Sequence, residues 1–239
     1  MTSPLQHRLA RVGAVVTIGL LALSACGSDA VRNQAHPGAA VVVGDERISL
    51  DAVDDLAQRY CALYLRANGE QAAALPLQVL RNDSVQILTD AEVARQYVAV
   101  HDLDVTALRS WLVGQSDQTA AQYGLSGSQA DDFAQISAQV DTQAAYLAAG
   151  GQTGPVTDQA AGQQALASGQ GKVREWAAGL DVELDPRFAP STAEGYAFNS
   201  GSLAKPVSDV ATAIDAYNGD TEPDPGYVQS LPPSQRCSM

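Results

Sequence analysis

The chain is expected to fold as a mainly helical protein with a small β patch, and three observations predict this. Apolar residues recur at steps of three and four over most of the span from about residue 50 to residue 180. Short alternating runs, each long enough for a strand of a few residues, stand at the two ends of that span. Hydrophobic residues make up 46% of the 239 but aromatics only 5%, so the core must be built from Ala, Val and Leu on close-packed helices.

The first segment lies outside that fold. Arg8 and Arg11 precede an uncharged apolar run from Val12 to Leu23, which closes in Leu23-Ser24-Ala25-Cys26-Gly27. This is the pattern of a lipobox. Leu23 suits an apolar pocket of the processing peptidase, Ser24 and Ala25 leave room around the scissile bond, and the Cys26 thiol receives a diacylglycerol. The run is too short to span a bilayer comfortably and lacks a stop-transfer flank. Residues 1–25 are therefore expected to be a lipoprotein signal peptide, with Cys26 lipidated and the mature protein held on the outer face of a bacterial cytoplasmic membrane. Residues 26–38 are small, polar and turn-forming, and read as a flexible tether.

The folded domain is expected over residues 39–190. Ala39 to Leu50 reads as two short strands turning at Gly44-Asp45. Ser49 is placed to cap a helix whose first turn carries Asp51, and whose broad apolar face runs from Val53 through Tyr60, Cys61 and Tyr64 to Ala67. Asn68-Gly69 ends it. Pro76 suits the start of a long second helix reaching about His101, with Val79, Leu80, Ile87, Leu88, Ala94 and Tyr97 on one side. After a break at Asp102-Leu103-Asp104 comes a short helix holding Leu108, Trp111 and Leu112. Ser126 to Asp132 is expected to be a loop and helix start, followed by the stripe Phe133, Ile136, Val140, Ala144 and Leu147. Gly150-Gly151 breaks that helix, and Pro155 is expected to open another with Leu166, Val173, Trp176 and Leu180 on one face. Gly162, Gly169 and Gly171 weaken this last helix by up to about 1 kcal/mol each, so it must lean on tertiary packing. Val182-Glu183-Leu184 reads as a closing strand stopped at Asp185-Pro186. Residues 191–239 are rich in Ser, Pro, Gly and Asp and read as a loop-rich tail, with one helix expected over Val207–Tyr217.

With Cys26 committed to lipid, Cys61 and Cys237 remain in an oxidising setting and are expected to form a disulfide. Two unrelated thiols, one buried and one in a loose tail, are the competing reading. The balance of 27 acidic against 14 basic residues excludes nucleic acid as a partner, because no basic cluster exists to displace counterions from phosphate. It also means that membrane attachment must come from acyl chains rather than headgroup attraction.

Catalytic and metal-binding patterns are absent or poorly formed. His7 leaves with the signal and His36 lies in the tether, so His101 is the one histidine in the folded span. A Ser-His-Asp triad finds no support, since Gly124-Leu125-Ser126-Gly127 misses the nucleophile-elbow spacing. Ser202-Leu203-Ala204-Lys205 matches Ser-x-x-Lys without its companion motifs. Asp220-Thr221-Glu222-Pro223-Asp224 lacks the glycine and bidentate Glu of a calcium loop. No Cys/His cluster suits zinc, and no cofactor motif is present. Tyr60, Tyr64, Trp111 and Trp176 are the candidates for lining a peptide groove, set against the plainer expectation that aromatics at helical spacing belong to the core.

Three segments carry a resemblance. Ala39 to Asp54 (AAVVVGDERISLDAVD) is similar to the strand-turn-strand and first helix of the N-terminal domain of SurA-type periplasmic chaperones, with Val43 where that family has Asn. Leu77 to Thr106 is similar to its long helix and following corner, with Asp102 where Gly is expected. Gly171 to Phe188 (GKVREWAAGLDVELDPRF) is similar to its late helix and its strand ending in Asp-Pro-Arg-Phe, with Ala189 in place of a final Gly. The resemblance spans residues 40 to 190 and implies one packed module whose first and last strands pair. It also implies a chaperone role without isomerase activity, because the stretch from Gly114 to Pro155 is too short for an inserted parvulin domain and lacks its histidines. The function expected is thus a membrane-anchored, non-enzymatic lipoprotein that binds unfolded exported polypeptides. The alternative is an adaptor lipoprotein that binds one folded envelope partner; a large apolar groove favours the first and a flat polar surface the second.

Overall fold

The structure of the protein, a computed structural model, describes residues 37–127, 129–130, 133, 137–185, 187–188 and 225–238. The signal run, Cys26, Ile136, the Ser202–Lys205 and Asp220–Asp224 motifs and the helix expected over Val207–Tyr217 lie outside them.

The elements follow in the order the hydrophobic pattern sets. β1 (Ala39–Val43) and β2 (Glu46–Ser49) pair antiparallel across a turn whose Gly44 has φ 61°, a left-handed conformation that glycine adopts without strain. α1 (Leu50–Asn68) is capped by Ser49, whose Oγ accepts from the Ala52 N–H at 3.1 Å. It ends at Gly69. β3 (Leu75–Pro76) leads into α2 (Leu77–Val100), and the chain turns at Asp102 with φ 50°. Among the described residues no other non-glycine has positive φ, and Asp tolerates the left-handed region better than most residues.

α3 (Thr106–Gln122) is longer than the short helix expected. The polar stretch after Leu112 continues as helix because Ala120 is fully buried one face round, and Gly124 in the left-handed region ends it. α4 (Ser137–Ala149) packs along α5 (Gln159–Ala177), the most extensive helix contact among the described residues. α5 does not begin at Pro155. Asp158 is its cap, with Oδ1 accepting from Ala160 N at 2.9 Å and Ala161 N at 3.4 Å, and a side-chain cap satisfies helix donors that a proline start would leave open. Of the α5 glycines, Gly169 sits at a close approach to α4, and Gly150 just after α4 faces it from the other side. A Cβ on Gly169 would fall into the Tyr146 carbonyl of α4, and one on Gly150 would fall onto the backbone of Ala165. The two helices touch backbone to backbone there, and only glycine permits it.

β4 (Val182–Leu184) pairs antiparallel with the free edge of β1, giving the order β2-β1-β4 with Val43 opposite Val182. Behind it, Asp185 accepts from the Arg187 backbone N–H at 2.9 Å and from the Arg187 guanidinium at 2.7 Å. Those bonds, led by the Arg187 side chain, hold the Asp185 carboxyl below its ordinary range, and the turn they fix drives Phe188 into the core. The C-terminal residues end in α6 (Pro225–Ser230), a single 3-10 turn and β5 (Arg236–Cys237), which pairs with β3.

The fold class is thus as expected: mainly helical, with a small antiparallel β patch. Its core has three parts. Under the sheet, Val41, Val43, Val53, Val93, Val173 and Phe188 pack together. Leu108, Leu112, Ala144 and Leu147 fill the α3–α4–α5 junction. Ala57, Leu77, Leu80 and Cys237 form the third, between α1, α2 and β5. Buried Ser84 and Thr89 on α2 satisfy their hydroxyls locally, each donating to the carbonyl four residues back at 2.7 Å.

Candidate functional site: an aromatic hollow beside a disulfide

Only the first half of α1 contributes fully buried side chains, Val53, Leu56 and Ala57. Beyond them the same apolar stripe is half-buried, with Tyr60, Cys61 and Tyr64 packed on the cluster around Cys237, and it also borders an open hollow of about 470 Å³. Tyr60, Leu63 and Tyr64 of α1 make one wall; Tyr123 after α3, Phe133 before α4 and Val140 of α4 make the other. Tyr123 is 60% exposed, one of the two large hydrophobic side chains so open among the described residues, and its ring lies 6.5 Å from that of Phe133. A smaller hollow of about 270 Å³ continues along α1 past Leu63, Arg66 and Leu125. Together they leave a strip along α1 that is aromatic and aliphatic in the larger hollow and mostly polar in the smaller, where Asp55, Gln58, Arg59 and Gln129 join the lining.

The two tyrosines of α1 are held differently. The Tyr64 hydroxyl donates to the Ala73 carbonyl at 3.1 Å, which fixes its ring against the turn that follows the helix. The Tyr60 hydroxyl is enclosed and makes no hydrogen bond. Burial, and then the Asp83 carboxylate, push the Tyr60 phenol up to about 12. It stays protonated at any physiological pH, so this wall of the hollow is uncharged.

Of the four aromatic groove candidates, the structure brings Tyr60 and Tyr64 to the hollow and keeps Trp111 and Trp176 away. Trp111 packs on the α3–α4–α5 cluster. Trp176 packs edge-on against Tyr97, ring centroids 5.6 Å apart, over the core under the sheet. All four are half-buried and each packs on a core cluster, Tyr60 and Tyr64 on the one around Cys237; the tyrosines differ in that they also line the hollow. Sequence reasoning did not single out Tyr123; an exposed tyrosine directly before the helix-ending Gly124 was the available signal.

Cys61, next to Tyr60, is bonded to Cys237, with Cα atoms 5.5 Å apart, so the expected disulfide is present. His101 caps the end of α2, exposed to solvent, with its ring 4.2 Å from that of Tyr97. Among the described residues no group of His, Cys, Asp and Glu side chains is arranged to hold a metal ion, and no helix is long and apolar enough to cross a membrane. Compared with family models, with curated proteins and with solved structures, the chain finds no match.

Proposed function

We propose that the chain is a lipid-anchored polypeptide-binding module of the bacterial cell envelope, a chaperone-like binder rather than an enzyme. The observation that carries this reading is the open aromatic hollow on α1. A closed cavity with convergent polar groups suits a small molecule, but an open hollow whose aromatic and aliphatic walls are bordered by Arg66, Asn68, Gln139 and Gln143 suits extended polypeptide of loose sequence. Such binding is weak and tolerant, as a holder of unfolded chains requires. The pairing of β1 with β4 and the turn at Asp185–Phe188 support the same reading through the likeness to SurA-type chaperone domains.

The anchor in this proposal is a diacylglycerol on Cys26. Its two acyl chains are enough for stable attachment, where one would be marginal. With a net charge of −13, the protein repels nucleic acid and anionic headgroups alike. The clients are exported polypeptides in transit.

Light scattering from an aggregating unfolded protein tests the reading. The full chain in several-fold excess should slow aggregation, and Leu63→Asp, which puts a charge into the strip at a half-buried position, should remove most of the effect. If the wild-type chain has no effect, the proposal gives way to an adaptor lipoprotein that binds one folded partner.

A further inference from the structure

Residues 225–238 form a strap over the face made by α1, β3 and the start of α2. β5 is only two residues long, yet Cys237 is fully buried among Ala57, Leu77 and Leu80, and Leu75 lies opposite it in antiparallel register. Ahead of β5, Val228 of α6 is also fully buried. The strap's non-covalent seat is imperfect. Two enclosed polar groups in it, the Tyr227 hydroxyl and the Arg236 Nε, make no hydrogen bond, so each has lost water without compensation. The Arg236 guanidinium donates from Nη1 to the Gln229 carbonyl at 3.2 Å, a bond that stays within the strap. Against this, the Cys61–Cys237 bond ties the strap to α1 covalently.

We propose that the Leu75–Pro76 edge and the hydrophobic seat beside it form a strand-accepting site, filled by the chain's own strap while Cys61–Cys237 is oxidised and opened to an extended segment of another polypeptide when a dithiol reduces that bond. The proposal rests on the polypeptide-binding reading and adds its regulation. The incoming segment adds to the β3 edge as β5 does, through main-chain bonds that need no particular sequence. Its one side-chain requirement is a small residue at the place of Cys237, since that seat has no room open to solvent. Cys61 is half-buried and Cys237 closed off, so the reductant attacks at Cys61. A thiolate of the dithiol bonds to the Cys61 Sγ, the Cys61–Cys237 bond breaks, and Cys237 leaves as a thiolate that takes up a proton. The second thiolate of the dithiol then attacks the first sulfur of the reductant, forming its disulfide and releasing Cys61, which is protonated in turn. Two electrons and two protons reach the protein, and the dithiol becomes a disulfide. The freed strap remains part of the chain and competes with the incoming segment, so opening is a change of occupant.

The test uses the purified full chain, oxidised or reduced with dithiothreitol, and a fluorescent peptide of residues 225–239 with Ser in place of Cys237. Reduction should raise amide hydrogen exchange at Leu75 and over residues 228–237 at least tenfold, with the helical circular dichroism kept. The peptide should bind the reduced chain saturably, and the oxidised chain at least tenfold more weakly. Cys61→Ser should bind it without reductant. Unchanged exchange on reduction, equal peptide binding in the two states, or loss of helix on reduction each overturns the proposal. The two readings fail separately. Aggregation slowed equally by oxidised and reduced chains leaves the hollow as a binder and removes the strap-gated site. Redox-dependent peptide binding with no effect on aggregation keeps the strap-gated site and removes the chaperone reading.

Discussion

Gly169 and Gly171 lie two residues apart in α5 and should respond to alanine with opposite signs. Both substitutions gain about 1 kcal/mol of helix propensity. At Gly171, an exposed position, an added Cβ meets nothing within 4 Å, so the gain is kept. At Gly169 the Cβ would strike the backbone of Tyr146 and the nitrogen of Gly150. Backbone cannot swing aside as the end of a long side chain can, so α4 and α5 must part along their most extensive contact. Overpacking costs about 1–3 kcal/mol, and against backbone the upper part of that range, about 2–3 kcal/mol, applies, so about 1–2 kcal/mol remains after the propensity gain. For a chain of this size each kcal/mol moves Tm by roughly 2–4 °C. Gly169→Ala should therefore lower Tm by roughly 2–8 °C, and Gly171→Ala should raise it by roughly 2–4 °C. Thermal and urea unfolding followed by circular dichroism measures both. A Gly169→Ala protein as stable as the wild type would refute the backbone contact between α4 and α5, and so would destabilisation by Gly171→Ala of similar size.

Three further outcomes are expected. Leu108→Ala, at a fully buried position in the α3–α4–α5 junction, should cost about 2–5 kcal/mol in urea unfolding, against well under 1 kcal/mol for Val100→Ala at the exposed end of α2. The raised Tyr60 phenol makes stability depend on alkaline pH. Its contribution is complete below the unfolded value of 10.0 and is lost as pH climbs through about 12, so urea midpoints should fall across that window more for the wild type than for Tyr60→Phe. An ultraviolet titration in which Tyr60→Phe removes no late-ionising tyrosine would contradict this. Cys26→Ala should abolish acyl labelling and leave an unprocessed precursor; normal labelling would end the lipoprotein reading.

What was legible in the sequence was local. The Ser49 cap, the Asn68-Gly69 stop and the corner at 102–104 are each fixed by a few adjacent residues, and the structure has all three. The start of α5 was misplaced because Pro155 and Asp158 both signal a helix start, and only the hydrogen bonds to Ala160 and Ala161 decide between them. The hollow was half legible. Tyr60 and Tyr64 stood out on α1, but their opposite wall comes from Tyr123, Phe133 and Val140, and no periodicity within one helix reveals which distant helix stops short. For the same reason Trp111 and Trp176 looked equivalent to the tyrosines until their neighbours on other helices were in place. Gly169 read as a weakness in α5; that it is a contact depends on α4. The pairing of β3 with β5 joins the two sides of the chain through residues too few to leave a strand pattern, and the two cysteines were its one trace.

Photocrosslinking tests the central claim, that the α1 hollow holds unfolded polypeptide, most directly. Benzoylphenylalanine placed at Tyr123 sits on the rim of the hollow, and placed at Val100, 66% exposed at the end of α2, it serves as an equally open apolar control away from it. Mixed with an unfolded protein and irradiated, the Tyr123 probe should capture it in high yield and the Val100 probe should not. Equal capture from both positions, or none from Tyr123, would contradict the account.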